Sequence, residues 1–193
     1  MLGVEALEQR LGVLARGPEL VAQSRERDLA LGLEQRDDPL ADGVERLGVV
    51  DTPVGRVGGL ICWENRMPLA RWAVYQGAPQ IWVAPTADDS DGWLASMRHI
   101  AIESGAFVVS VPQYIPGSAF PQDFPVPVER DTVYGRGGAA IVEPTWGGVI
   151  AGPLYDEEGI LLADCDLKAG LHAKRWFDAV GHYSRTDVFS PTS

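Results

Sequence analysis

The sequence predicts an α/β domain, on three observations. From Leu47 onward, short apolar runs typical of buried strands alternate with segments whose apolar residues recur at helical spacing. The same part of the chain then continues with short runs bounded by Gly and Pro, which is the pattern of a β-meander. A chain of 193 residues is long enough for one domain with a proper core and too short for two ordinary ones. Strand, helix and strand followed by a meander indicate the α/β class.

The first elements of this domain are two strands and a helix. VVDTPVGRVGGLIC, residues 49–62, predicts two short strands joined by a Pro-Val-Gly turn, with residues 57–61 buried. MPLARWAVYQGA, residues 67–78, predicts a helix. It has a proline near its start, apolar residues at helical spacing and Gly77 at its end.

The middle of the domain predicts a strand, a helix and another strand. PQIWVAP, residues 79–85, predicts a strand that stops at Pro85. Residues 86–106 predict a loop followed by a helix that ends near Gly105, and FVVSVP, residues 107–112, predicts a buried strand. The candidates for the N-cap of this helix are four consecutive polar residues, Asp88, Asp89, Ser90 and Asp91.

The last part of the domain predicts a long loop, a meander and a helix. Residues 112–133 are rich in Pro, Gly and Asp and predict a functional or covering loop. DLKAGLHAKRWF, residues 166–177, predicts a helix, and the tail from Val180 is irregular. Three short strands are predicted between the loop and the helix, in GGAAIVEP, GGVIAGPL and GILLADCDL.

Residues 1–46 differ in composition, and we place a boundary between them and the domain of residues 47–193. They contain no Phe, Tyr, Trp, Ile, Thr, Lys, His or Cys. An apolar content without aromatic residues or Ile makes a poor core, so we expect a weakly structured or helical segment. Interspersed glycines and Pro18 weaken the helical interpretation. The residues that support it, at roughly helical spacing, are Leu2, Leu7, Leu11 and Leu14.

Composition also excludes several classes of function. The net charge is −11 and no basic stripe is present, so nucleic acid is not an expected partner. No run of about 18 apolar residues predicts a membrane span, and no signal peptide is recognisable. Cys62 and Cys165 lie too far apart for a disulfide framework or a zinc-binding spacing. We therefore expect a cytoplasmic protein that binds neither metal nor membrane.

The residue with the clearest chemical potential is Cys62, which ends an apolar strand just before a helix-starting turn. Backbone N–H groups and the positive end of a helix dipole favour a thiolate at such a position. The next backbone N–H, that of Trp63, is well placed for an oxyanion hole, while Glu64 could line a pocket or pin the turn. Spacing alone leaves two interpretations open, a nucleophile and a buried structural cysteine.

A longer series of motifs resembles the nitrilase branch of the carbon–nitrogen hydrolase superfamily. The Trp-Glu-Asn that follows Cys62 is the form seen in nitrilases proper, whereas aliphatic amidases and carbamoylases carry other residues there. The motifs occur in the family's order over residues 47–193. They are DTPVGRVGGLICWENRMPLAR, IWVAPTADD, W-x-x-x-MRHIAIE, RGGAAIVEP, AGPLYDEEGILLADCDL and VGHYSRTDVF.

The resemblance implies a fold, an activity and an assembly. The fold would be part of an α-β-β-α nitrilase-type sandwich, which pairs into dimers and often into spirals, so a homo-oligomer is expected. Cys62 would match the nucleophile that attacks a small-molecule nitrile, giving a thioimidate, then a thioester, and finally a carboxylic acid and ammonia. No metal or organic cofactor is implied. Trp93 falls in a segment that packs near the site, and Trp63, Glu64 and Trp93 are the pocket candidates. We expect His99 and Arg136 to be structural.

The family's remaining catalytic groups have no match in this sequence. The resemblance implies a glutamate base, a lysine and a second glutamate upstream of the cysteine, yet no lysine precedes Lys168. We therefore expect a truncated chain with impaired activity, arising from a frame-shifted gene or from a short homologue with a replaced N-terminus. Two alternatives stay open: an inactive structural or oligomer-capping subunit, and a cyanide hydratase or other amide-forming relative. The upstream glutamates outside the family's context are Glu5, Glu8, Glu19, Glu26, Glu34 and Glu45.

Overall fold

The structure is a computed structural model, and it describes residues 48–185 and 187–188. A mixed seven-stranded sheet with α-helices confirms the predicted α/β class. The predicted segment of residues 1–46 lies outside the described residues, so its separate character stays a prediction.

The strands and helices follow one another as the sequence predicted, with three exceptions given below. The α-helices of the described residues are Pro68–Gln76 (α1), Asp91–Ser104 (α2) and Lys168–Trp176 (α3), and their short 3₁₀-helices are Cys62–Arg66 and Gly117–Ala119. The strands are Val50–Thr52 (β1), Gly55–Gly59 (β2), Ile81–Thr86 (β3), Phe107–Pro112 (β4), Tyr114–Pro116 (β5), Val133–Val142 (β6) and Val149–Tyr155 (β7).

The sheet has a parallel centre with antiparallel neighbours. Strands β2, β3 and β4 run parallel and are joined through α1 and α2, while β1 pairs antiparallel with β2. Strand β6 pairs antiparallel with β4, β5 and β7. The turn after β2 and the turn after β3 therefore both lie at the carboxyl ends of adjacent parallel strands. This is the edge at which open α/β sheets place their ligands.

The main core lies where α1 and α2 pack on the sheet. Local sequence fixes both ends of α2: the Ser90 side chain accepts a hydrogen bond from the Trp93 N–H at 3.2 Å, and Gly105 ends the helix at a φ of 65°. Of the four predicted N-cap candidates, Ser90 therefore takes the role. The core cluster includes Leu60, Val74, Tyr75, Trp82, Ala84, Trp93, Met97, Ile100, Ala101, Val108 and Val142.

Gly59 lets β2 and β3 approach closely at the end of β2. A Cβ atom at this position would collide with the main-chain carbonyl of Val83, its partner in the ladder. A larger residue would push the two strands apart, because a backbone atom has little room to move. The position of the following turn relative to β3 therefore depends on this glycine.

Three predictions about elements were wrong in part. Ile61 was expected to be buried but is 65% exposed, because β2 ends at Gly59 and the chain turns outward. The predicted loop of residues 112–133 contains β5 and a short 3₁₀-helix, since β6 is long enough to pair with β5. The run GILLADCDL forms only an isolated bridge at Leu161. The residue pattern of this run is compatible with a strand. A strand also needs the edge of another strand to pair with, and the local sequence pattern does not encode whether one is present.

Among the described helices, α2 is the longest at 14 residues. None of the helices in residues 48–185 and 187–188 has the length and apolar character needed to cross a bilayer.

Candidate active site

Cys62 is the first residue of the 3₁₀-helix that follows β2. The strand already ends at Gly59, so Cys62 begins the turn and does not end the strand as predicted. Its backbone has a φ of 49°, in the left-handed region that non-glycine residues rarely adopt. Such strained residues persist only where their surroundings hold them, and they cluster at functional sites. The sequence could not reveal this conformation, because glycine is its usual signal.

Asn65 holds the turn around Cys62 together. It is fully buried, and its Nδ2 donates to the carbonyl oxygens of Leu60 at 2.7 Å and Cys62 at 2.9 Å. Its Oδ1 accepts a hydrogen bond from Trp82 Nε1 at 2.8 Å.

Glu64 also holds the turn, from its exposed side, because its carboxylate accepts a hydrogen bond from the Ile61 N–H at 2.8 Å. Of the two roles predicted for Glu64, this contact favours pinning the turn.

The sulfur of Cys62 is surrounded by hydrogen-bond donors. Thr86, the last residue of β3, donates from Oγ1 to Sγ at 3.2 Å. Burial by itself raises the pKa of the Cys62 thiol, but hydrogen bonds from the Thr86 hydroxyl and from the N–H groups of Ala87 and Trp63 lower the pKa below its ordinary value. The donors outweigh the nearby charge of Asp88, which raises the pKa. The site therefore favours a thiolate.

Asp88 organises the outer side of this site. Its Oδ2 accepts from Trp63 Nε1 at 2.9 Å and from Arg66 Nη2 at 2.8 Å, and its Oδ1 accepts from the Ser90 N–H at 3.0 Å. Burial raises the pKa of Asp88, but these hydrogen bonds hold it well below its usual range, so the carboxylate stays ionised. Although Trp63 is 64% exposed, its ring is held by this hydrogen bond to Asp88 and lies under the Arg66 guanidinium, 5.7 Å from the ring centroid.

Arg136 ties the loop after β3 to strand β6. Its backbone N–H donates to Asp89 Oδ2 at 2.8 Å, its Nε donates to the Asp89 carbonyl at 2.9 Å, and its Nη2 lies 2.7 Å from Asp91 Oδ1. The guanidinium also lies 4.4 Å from the centroid of the Tyr155 ring. These contacts agree with the structural ion pair expected for Arg136. They hold the loop whose Ala87 N–H meets the sulfur.

Trp93 lies deeper than the other candidates. It is 1% exposed, belongs to the core cluster, and donates from Nε1 to Ser110 Oγ at 2.8 Å. The structure brings Trp63 and Glu64 to the Cys62 turn and places Trp93 in the core on α2. A pocket role for these three residues stays a prediction.

His99 belongs to a network that joins α1 and α2. Glu103 Oε2 accepts hydrogen bonds from Arg71 Nε at 3.0 Å and from the Tyr75 hydroxyl at 2.8 Å. His99 Nε2 lies 3.0 Å from the other carboxylate oxygen, Glu103 Oε1. Arg71 also donates from Nη1 to the Asn65 carbonyl at 3.1 Å, which links this network to the Cys62 turn. His99 Nε2 thus lies beside the carboxylate that Arg71 and Tyr75 also contact, which is compatible with the structural role expected for His99.

Thr86 and Asp88 are the site residues that our sequence reasoning did not identify as contacts of the Cys62 turn. Asp88 was considered only as a helix cap. The available signal was positional, since Thr86 ends the parallel strand next to the one that precedes Cys62. Within the part of the chain that the structure describes, no group of three or more His, Cys, Asp or Glu side chains is arranged to hold a metal ion.

The sequence matches the profile of the carbon-nitrogen hydrolase family over residues 8–174. This match includes the Cys62 turn and most of the described elements. It also begins within the segment of residues 1–46, upstream of the motifs from which we inferred the resemblance.

Curated relatives with nitrilase names align to much of the chain. Nitrilase 3 of Arabidopsis thaliana is 47% identical over 151 residues, which cover 75% of this chain and 43% of that protein. The aliphatic nitrilase of Sinorhizobium fredii (strain HH103) is 45% identical over 174 residues, covering 89% of this chain and 56% of that protein. The bifunctional nitrilase/nitrile hydratase NIT4B of Nicotiana tabacum is 45% identical over 152 residues, covering 74% and 42%. The chain spans about half the length of these relatives.

Solved structures share the fold. The carbon-nitrogen hydrolase from Helicobacter pylori G27 superposes with a TM-score of 0.60 at 21% identity, over 75% of this chain and 51% of that chain. The NitFhit protein of C. elegans superposes with a TM-score of 0.57 at 26% identity, over 74% and 32%. Sequence profile, relatives and fold agree with the strand-end cysteine described above, and the chain therefore belongs to the carbon-nitrogen hydrolase family.

Proposed function

We propose that this chain is a nitrilase-type hydrolase, which uses Cys62 to convert a small-molecule nitrile into a carboxylic acid and ammonia. The observation that carries the proposal is the set of donors around the Cys62 sulfur, which favours a thiolate at the end of a parallel strand. The relatives named as nitrilases support the choice of substrate class.

The proposed reaction begins with attack of the Cys62 thiolate on the nitrile carbon. The C–S bond forms while one π pair of the C≡N bond moves to nitrogen, which takes up a proton and gives a thioimidate. Water then adds to the same carbon, and the C–N bond breaks as ammonia leaves, which gives a thioester. A second water cleaves the C–S bond, releases the carboxylic acid and returns the thiol. One nitrile and two waters thus give one acid and one ammonia.

Some residues of the site take part in the proposed reaction, and others hold the site in place. Cys62 is the nucleophile, and the backbone N–H groups of Trp63 and Ala87 are placed to hold negative charge beside it. The Trp63 ring, which donates to Asp88 and is exposed next to Cys62 in sequence, is the proposed contact for substrate. Glu64 and Trp93 support the turn and the core beneath it.

We further propose that the chain by itself turns over slowly. The two lysines of the sequence, Lys168 and Lys174, both lie in α3. Neither lysine stands in the sequence position, upstream of Cys62, that the family resemblance implies for the catalytic lysine. Losing one electrostatic donor of this kind typically costs about 10²–10³ in rate.

We also propose a cellular compartment and an oligomeric state for the protein. Both cysteines are free, which suits the reducing cytoplasm that we expect for a thiolate enzyme. Leu171 and Trp176 expose apolar side chains on α3, which supports the expected assembly into a homo-oligomer. Light scattering of the purified chain measures this assembly, and a monomer at all concentrations would contradict it.

The proposal is tested by incubating the full chain with aliphatic and aromatic nitriles. We expect slow ammonia release, and an increase in intact mass that fits a thioimidate or thioester on Cys62. The Cys62→Ala variant should lose both signals, while Cys165→Ala should keep both. Ammonia release that survives Cys62→Ala would overturn the proposal. If neither ammonia nor adduct forms with the parent chain, the inactive structural or oligomer-capping subunit is favoured instead.

A second candidate is an amide-forming reaction at the same cysteine. One relative is named a bifunctional nitrilase/nitrile hydratase, so both outcomes occur among the names of similar proteins. The two candidates diverge when water has added to the thioimidate carbon. Loss of ammonia leads to the acid, whereas loss of the Cys62 thiol leads to the amide. Chromatography of the products separates them, and amide alone would exclude a true nitrilase.

A further inference from the structure

The side chain of Thr86 contacts the sulfur of Cys62, and the same hydroxyl oxygen also contacts the backbone of the following loop. Thr86 Oγ1 lies 3.2 Å from Cys62 Sγ. The same oxygen accepts a hydrogen bond from the backbone N–H of Asp88 at 2.9 Å. That N–H uses one of the two lone pairs of the oxygen. A thiolate sulfur has no hydrogen to donate, so its contact with Thr86 uses the hydroxyl hydrogen.

We propose that Thr86 is a second catalytic residue, whose hydroxyl stabilises Cys62 as a thiolate before attack and releases the sulfur as the C–S bond forms. The proposal rests on the proposed function, in which Cys62 is the nucleophile. A hydrogen bond to an ionised acceptor is stronger than one to a neutral acceptor. The Thr86 contact therefore favours the thiolate over the thiol, and it weakens when the sulfur becomes a neutral thioimidate.

The position of Thr86 is held by the sheet and by the loop that follows. Thr86 is the last residue of β3 and pairs with Pro112 in the ladder with β4. Its β-branched side chain has few allowed rotamers, so the hydroxyl has little freedom. The loop beyond it is tied to β6 through the contacts of Arg136 with Asp89. The donor is thus pre-positioned before any substrate arrives.

The charged groups that flank the sulfur do not replace this hydroxyl. On the loop after β3, Asp88 carries a negative charge, which opposes a thiolate. On the 3₁₀-helix, Arg66 is paired with Asp88 at 2.8 Å, and the Glu64 carboxylate accepts from the Ile61 N–H. The groups that hydrogen-bond the sulfur in the described residues are therefore neutral donors. Of these, Thr86 is the one that uses a side chain and can be changed by substitution.

The decisive experiment follows the alkylation of Cys62 by iodoacetamide in the full chain carrying Cys165→Ala, from about pH 5 to about pH 10. Thr86→Val removes the hydroxyl and keeps the shape, while Thr86→Ser keeps the hydroxyl. In the Val variant we expect the alkylation midpoint to move to higher pH, with a rate about tenfold lower below the midpoint. The rates should converge at high pH, where every variant is a thiolate. The Ser variant should stay within about twofold of the parent throughout.

A second hydroxyl-free variant, Thr86→Ala, keeps the test decisive if Thr86→Val fails to fold. It should show the same shift of the midpoint. A midpoint equal to that of the parent in the Val or Ala variant would overturn the proposal. An equal loss of rate at every pH would also overturn it, because that indicates a disturbed structure and not a titration.

Nitrile turnover measured in parallel separates this proposal from the proposed function. If Cys62 is the nucleophile, Thr86→Val should lower kcat about tenfold and leave KM nearly unchanged. If Cys62→Ala still releases ammonia, the proposed function fails, whatever the alkylation shows. If Cys62→Ala is inactive but Thr86→Val alkylates like the parent, only the role of Thr86 fails.

Discussion

The two cysteines of this chain have pKa values shifted in opposite directions. Cys62 and Cys165 are both free and both half-buried. The pKa of Cys62 lies below its ordinary value, whereas burial and the charge of Asp164 raise the pKa of Cys165. Each thiol has a nearby carboxylate, Asp88 for Cys62 and Asp164 for Cys165. Burial and a nearby carboxylate raise the pKa at both sites, and the donors to the sulfur lower it only at Cys62.

The backbone around each cysteine explains where those donors come from. Cys62 stands at the carboxyl edge of the parallel strands, in a left-handed conformation that turns its sulfur toward the end of β3. Cys165 lies outside the strands and helices, and its Sγ is 3.9 Å from the carbonyl oxygen of Ala163, which is an acceptor. Donors to the sulfur lower the pKa of Cys62, whereas burial and the charge of Asp164 raise the pKa of Cys165.

The largest effect on the contrast between the two cysteines is expected from removing the Asn65 side chain, which holds the Cys62 turn by hydrogen bonds. Asn65→Ala leaves the buried Trp82 N–H and the Leu60 carbonyl without their partner. We expect a loss of about 2–4 kcal/mol in the free energy of unfolding, and alkylation of Cys62 that approaches the behaviour of Cys165. Urea denaturation and alkylation rates measure the two effects.

Trp82→Phe provides the matched control for Asn65→Ala. It removes the indole N–H but leaves the two carbonyl contacts of Asn65 in place. We expect this variant to lose less stability than Asn65→Ala and to keep the reactivity of Cys62. An equal alkylation rate of Cys62 in the parent and in Asn65→Ala would show that the turn does not depend on the hydrogen bonds of Asn65.

A smaller effect is expected when the two thiols of the unmodified chain are compared directly. Because the pKa of Cys62 is lowered and that of Cys165 is raised, Cys62 has the larger thiolate fraction at pH 7. We expect Cys62 to alkylate about tenfold faster there, part of the advantage being offset by the lower nucleophilicity of a less basic thiolate. The ratio should shrink as pH rises above both midpoints. Peptide mapping by mass spectrometry measures each rate, and faster labelling of Cys165 at pH 7 would contradict the assignment.

The smallest effect is expected from neutralising the two carboxylates. Asp88→Asn and Asp164→Asn each remove a negative charge that raises the pKa of the neighbouring cysteine. Each should therefore move the alkylation midpoint of its own cysteine to lower pH, with a change of about twofold in rate at pH 7. The other cysteine serves as the internal control in each variant. A shift to higher pH in Asp88→Asn would mean that the hydrogen bonds of Asp88 matter more to Cys62 than its charge.

Much of the architecture was predictable from local pattern. Apolar runs located β3 and β4, although β3 continues past Pro85, where we predicted its end, to Thr86. The proline near the start of α1 and the glycine after its end located that helix. The segment around Cys165 resisted prediction, because a run of alternating residues does not say whether a strand edge lies beside it. The burial of Ile61 was predicted wrongly for a related reason, since the turn at Cys62 ends the strand earlier than its apolar run.

The sequence by itself determined the class of the fold, the place of Cys62 near a strand end, and the family to which the motifs point. These depend on periodicity, on turn residues and on motif order, all of which are local properties of the chain. Tertiary structure alone decided what surrounds the sulfur. Thr86 is 24 positions from Cys62 in sequence, and it meets the sulfur only because two parallel strands end side by side. Distances between such residues are set by strand pairing, which no short stretch of sequence contains.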